Sequence, residues 1–285
     1  MNLIPKTFSV ITLNLLISLT ICVSVFAQSS DGFLGIKLRS EVQAIVKEIE
    51  RKTGEEIYAE FIDQRDFLLG SSFITEEGVP VVLIDFSFED NPKKLEAVIA
   101  HELLHLRLRV NNYPTFVFSP RVQTAKGRAI DTEQSNVNSL KNMIEHQIFK
   151  AEMEKFGLYK LIDLAGDTAK QAKKEKGQEN SQADSINYAR AILEYQSLKD
   201  IEEVRKVYEE NGWKRALQTG KAIADIISQA KLNTPKDAET VFLQCILKLY
   251  PPPRPTYTFK LTLDPKNKFF RRMIINTMTH SKRKN

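Results

Sequence analysis

The chain has 285 residues, 42% hydrophobic and 27% charged, with a formal net charge of +5. That is ordinary globular composition: a sizeable core needs no staples, and at roughly 100–200 residues per domain the length holds one or two domains. The charge is unevenly spread, with 16 Lys and Arg against 21 Asp and Glu from Gln28 to Gly157, and 24 against 15 from Leu158 to Asn285.

In chain order, Lys6 precedes an apolar run from Phe8 to Phe26 that closes on Val25-Phe26-Ala27 before the polar Gln28-Ser29-Ser30. This is the pattern of a cleaved secretory signal over residues 1–27 and implies a secreted or periplasmic product. The rival is an uncleaved membrane anchor, because the run approaches the ~20 residues that span a bilayer. Cys22 and Cys245 are the two cysteines, so a mature chain without its signal forms no internal disulfide. Cys245 falls in the apolar pattern from Ala238 to Leu249 and is expected to be a buried, inert thiol.

Helical periodicity covers Ile36 to Lys52, stopped by Gly54. Strands are expected over Glu55 to Ile62 and Val79 to Phe88, with Phe67 to Ile74 as a hairpin segment. Pro80 marks a strand start or an edge, since proline donates nothing to a sheet ladder. Asn91 then reads as an N-cap and Pro92 as a first helical residue. The helix that follows puts His101 and His105 on one face, with Leu95, Ile99, Leu103, Leu106 and Val110 on its buried side. Residues 111–137 form a long connection, read as a wall or lid over a cleft or else a plain surface loop with a short strand in it. A second helix runs from Val137 to Phe156 and closes at Gly157.

Residues 166–185 are polar and read as a linker or a solvated helix extension. Three helical patterns follow, Ile186 to Glu210, Lys214 to Leu232 and Pro235 to Leu249, the last capped by Thr234. Tyr257 to Leu263 reads as a short strand, and the last twenty residues as a basic tail. The expected organisation is a signal over 1–27, a catalytic region over 28–165, a linker over 166–185 and a helical C-terminal region with a basic tail over 186–285. The basic half would meet an anionic surface or polymer, or is simply solvated, and no specific nucleic-acid binding is expected.

The chemistry is concentrated in His101-Glu102-Leu103-Leu104-His105. Residues i and i+4 of a helix lie one above the other, so His101 and His105 can offer two imidazole nitrogens to one ion. A catalytic zinc needs such ligands, a third protein ligand, and a nearby carboxylate to take a proton from water. The chain has four histidines, and two of them fall at this spacing around a glutamate. On the second helix, Asn138, Asn142, Glu145 and His146 make a polar patch among apolar residues. Glu145 and His146 are the candidates there for the third ligand. Adjacent helical residues point about 100° apart, so the two are not expected to bind the same ion.

The His101–His105 segment resembles the active-site helix of the zincin metallopeptidases. The resemblance implies a small sheet with an active-site helix, so that the fold class is α+β with a mostly helical C-terminal region. It also implies that His101 and His105 bind zinc, that Glu102 is the general base, and that the substrate is a peptide or protein. Leu108 and Asn111 stand where the metzincin branch requires Gly and His, which leaves the gluzincin-like branch. There the third ligand is a glutamate on a separate helix, which favours Glu145, although Phe149 departs from that branch's longer acidic signature. The alternatives are an exported binding or scaffold protein with a structural or vestigial metal site, and an amidase acting on a non-protein substrate. Tyr113, Arg121, Arg128, Tyr159 and His146 are candidates for stabilising a developing oxyanion.

Overall fold

The computed structural model describes residues 32–63, 69–118, 129–162, 168–175, 179–251, 257–264 and 271–279. The proposed signal over 1–27, Arg121 and Arg128 lie outside the described residues. Residues 32–37 make a turn closed by an antiparallel bridge between Phe33 and Ile36, and Leu38–Asn285 is one compact unit.

The unit begins with helix α1 (Ser40–Thr53), four residues later than the periodicity suggests. Arg39 is extended before it, and its backbone N–H donates to Glu96 Oε1 at 2.7 Å while its guanidinium pairs with Glu96 Oε2 at 2.9 Å. Strands β1 (Tyr58–Ile62), β2 (Gly70–Ile74) and β3 (Pro80–Asp85) form a sheet in the order β1-β3-β2. β1 runs parallel to β3, and β2 is its antiparallel hairpin partner. Pro80 starts the central strand, where its missing N–H costs no interior ladder bond.

Helix α2 (Pro92–Val110) carries the motif. The Asn91 side chain accepts the Lys94 N–H at 3.2 Å, Pro92 occupies the first turn, and neither Gly nor a second Pro interrupts the helix. α1, β2, β3 and α3 (Ala129–Lys155) all pack against it. The sequence suggests one buried side, but α2 is buried almost all round, from Leu95 through Leu106. Each fully buried Leu or Ile here contributes about 2 kcal/mol, so the helix is held as a rigid rod.

Four expectations change beyond α2. The connection after it does carry a short strand, β4 (Thr115–Phe118), but α3 begins at Ala129 rather than Val137. The presumed linker over 166–185 includes helix α4 (Thr168–Lys174) and the start of α5 (Ser181–Glu194). α4 packs on α6 (Leu198–Glu210) with Ala172 buried among Tyr188, Val204 and Tyr208, a contact that the polar composition hides. The single pattern from Ile186 to Glu210 is two helices, broken where Tyr195 turns extended.

The expected basic tail contains strand β6 (Arg272–Thr279), which pairs parallel with β4 and antiparallel with β5 (Tyr257–Leu263) in a second sheet. Its β-branched core, Ile274 and Ile275, fits a central strand. Helices α7 (Lys214–Gln229) and α8 (Pro235–Leu249) complete the fold, α8 opening with a capping box between Thr234 and Asp237. The fold class is α+β. Phe116, Val137, Leu140, Ile186, Ile223, Phe242 and Ile275 share one hydrophobic core, so β4 and α3 are packed together with the C-terminal helices and strands.

Candidate metal centre

α2 crosses α3 at the motif. His101 and His105, one turn apart on α2, meet His146 of α3, and one ring nitrogen from each lies within 4.8 Å of the others. All three residues are buried, at 5%, 5% and 6% exposure. Three buried histidines therefore lie close enough to hold one metal ion. His101 Nε2 and His105 Nε2 are 3.1 Å apart. Two nitrogens sharing a tetrahedral ion at ~2.0–2.1 Å each would stand about 3.3 Å apart, so the pair suits that role. Phe149 sits edge-on to His101 and His105, with centroids 5.5 and 5.1 Å away, and forms an apolar floor.

Behind the rings stand carboxylates. Glu145 Oε2 accepts from His105 Nδ1 at 2.6 Å and pairs with Lys141 Nζ at 3.1 Å. A carboxylate on Nδ1 holds the proton there and leaves the Nε2 lone pair for a ligand. Glu145, the first choice for third ligand, is thus engaged on the far side of His105, and His146, the alternative, joins the cluster. The physical reason is the crossing of α2 over α3, which selects one of two neighbouring residues about 100° apart. His146 Nδ1 lies 2.6 Å from Glu194 Oε1 on α5, and its Nε2 is buried without a hydrogen-bond partner. A buried acceptor left bare inside a histidine cluster is the kind of orphan that a metal ion satisfies.

The electrostatics agree. Burial holds the His101 imidazole well below its ordinary range, reinforced by His105, His146 and Lys141. Burial likewise brings His105 down to about 4 against the opposing pull of Glu145. Burial alone would raise Glu145, but Lys141 and His105 outweigh it and hold the carboxyl at about 2. The result is neutral imidazoles backed by an ionised carboxylate, the protonation state that metal ligation requires. Glu102, Glu145 and Glu194 are buried carboxylates around the cluster, and Lys141, Arg109 and Arg190 stand near them.

Glu102 is 5% exposed and points towards the start of β2. A Cβ on Gly70 would come within 3.1 Å of Glu102 Cγ and 2.9 Å of the Leu83 carbonyl oxygen, so glycine makes room there for the carboxylate. Burial raises the Glu102 pKa, and Ser72 and Arg109 oppose the rise. Arg109 donates to the Ser72 carbonyl, fixing its guanidinium on β2. Arg107 bridges to Glu152 at 2.8 Å and ties α2 to α3.

Other sequence candidates lie elsewhere or serve the frame. Asn142 Oδ1 accepts from Lys141, and Asn138 accepts from Gln134. Tyr113 packs against the hydrophobic core that Phe116 and Phe242 share. Sequence reasoning missed Lys141 and Glu194 as partners of the cluster. Lys141 was detectable as the i−4 neighbour of Glu145 on one helix face, whereas Glu194 is 48 residues from His146 and carries no local signal. The molecule so defined is an α+β protein with a candidate histidine metal centre. Compared with protein-family models, with curated proteins and with solved structures, the chain matches none of them.

Proposed function

We propose that the protein is an exported zinc-dependent metallopeptidase, with His101, His105 and His146 holding the ion and Glu102 acting as general base. The observation that carries this reading is the convergence of three buried histidines, two of them on the helix that also carries the buried Glu102. Zinc in such a donor set supplies Lewis acidity, lowering the pKa of water towards ~7 and polarising a carbonyl oxygen. Glu102 takes the proton of the attacking water and returns it to the leaving nitrogen; a carboxyl whose pKa is raised by burial suits a group that must hold a proton between two steps. Arg109, anchored on Ser72, keeps a positive charge near Glu102 and limits that rise. Export rests on the sequence of residues 1–27.

Glu102→Ala is expected to keep its zinc and to lose cleavage of an unfolded protein substrate by roughly 100-fold or more. Cleavage at the wild-type rate in that variant contradicts the mechanism. The burial of all four residues also favours a second reading, a structural metal centre in an exported binding protein. On that reading zinc removal lowers the unfolding temperature and no peptide substrate is cleaved.

A further inference from the structure

His146 reaches the cluster from α3, and the group behind it comes from the C-terminal half of the chain. Glu194, the last residue of α5, has a side chain of 0% exposure, with Oε1 2.6 Å from His146 Nδ1 and Oε2 3.6 Å from Arg190 Nε. Oε2 makes no hydrogen bond. A fully buried carboxylate with one idle oxygen is a poor device for stability, because an apolar side chain of the same volume there is often neutral or stabilising. Its geometry has another consequence. A neutral imidazole beside a carboxylate keeps its proton on the nearer nitrogen, which for His146 is Nδ1 and leaves Nε2 with a bare lone pair. That Nε2 is the buried atom without a hydrogen-bond partner. Without an acceptor at position 194 the proton is free to move to Nε2, and a protonated nitrogen ligates nothing.

The carboxylate is fixed relative to α3 as well as to His146. α5 packs along α3, Lys150, one turn beyond His146, donates to the Leu193 carbonyl at 3.3 Å, and the chain leaves the helix at once through extended Tyr195. We propose that Glu194 is a positioning residue for the metal centre: it sets the His146 tautomer, and through it the helical C-terminal half becomes part of the site. This rests on reading the histidine cluster as a metal centre.

The test uses the full chain. Nitrogen NMR of the metal-free wild type is expected to show His146 protonated at Nδ1 and bare at Nε2; an Nε2–H tautomer in the wild type overturns the proposal. Glu194→Met, which fills the space without accepting a hydrogen bond, is expected to shift His146 towards Nε2–H and to weaken zinc binding roughly 10–100-fold. Its urea midpoint is expected to stay at or above that of the wild type. Glu194→Gln keeps an acceptor oxygen and is expected to restore the Nδ1–H tautomer and most of the affinity. A Met variant with the wild-type tautomer and wild-type zinc affinity overturns the proposal. If the wild type binds no zinc, the peptidase reading falls, while the tautomer comparison still decides what Glu194 does.

Discussion

The two helices that meet at the histidine cluster reach it by opposite routes. α2 presents His101, Glu102 and His105 within five residues, in a stretch from Leu95 through Leu106 that is buried almost throughout. α3 presents one candidate ligand, His146, in a strip of buried Lys141, Glu145 and His146, with Glu194 of α5 at 2.6 Å from its Nδ1. On α2 the spacing along the chain is the geometry of the site. On α3 the geometry comes from packing, that is, from which residue the crossing helix selects and what a distant helix places behind it. α2 is therefore expected to tolerate polar changes poorly through lost chemistry, and α3 through lost electrostatic balance.

Lys141→Met tests this most severely. It leaves Glu145 buried with His105 as its remaining contact and Arg109 acting from further off, and breaking a buried ion pair costs roughly 3–5 kcal/mol. Urea unfolding monitored by far-UV circular dichroism measures the loss, and a stability equal to wild type would mean that Glu145 does not depend on its ammonium partner. Gly70→Ala probes the α2 side. Its Cβ meets the Leu83 carbonyl oxygen at 2.9 Å and Glu102 Cγ at 3.1 Å, so a loss of about 1–3 kcal/mol is expected. Peptide cleavage should fall more than zinc affinity, because Glu102 moves while the histidines stay.

The smallest effect lies away from the cluster, in α5. Burial pushes the Asp184 carboxyl up to about 6, and its Oδ2 makes no hydrogen bond. A folded-state value above the unfolded ~4 means that the folded form resists ionisation. The penalty is absent below about pH 4, grows as pH rises towards 6, and is complete above it. Asp184→Asn should therefore gain roughly 1 kcal/mol at pH 7.5 and nothing at pH 4, read from paired denaturation curves. A gain independent of pH would show that the carboxyl ionises at its ordinary value.

The legible part of the molecule follows from the same contrast. The cap at Asn91, the stop at Gly54, the hairpin into Pro80 and the capping residue Thr234 are local signals, and each stands in the structure. The polar patch on α3 was legible as a patch, but the choice between Glu145 and His146 was not. Neighbouring residues differ only in azimuth, and the crossing with α2 decides between them. Strand β6 was hidden because its basic flanks resemble a solvated tail and one of its two pairing partners, β4, lies more than 150 residues earlier, although the other, β5, directly precedes it. Glu194 was hidden for the same reason at shorter range: a glutamate ending an apolar run acquires meaning only when α3 lies against it.

The central claim is that His101, His105 and His146 hold the metal while Glu145 stands behind His105. Zinc content after dialysis, measured side by side in the wild type, Glu145→Ala and His146→Ala, tests it directly. One equivalent is expected in the wild type, a weaker but measurable site in Glu145→Ala, and almost no zinc in His146→Ala. Full occupancy in His146→Ala together with loss in Glu145→Ala would contradict the account and make Glu145 the third ligand.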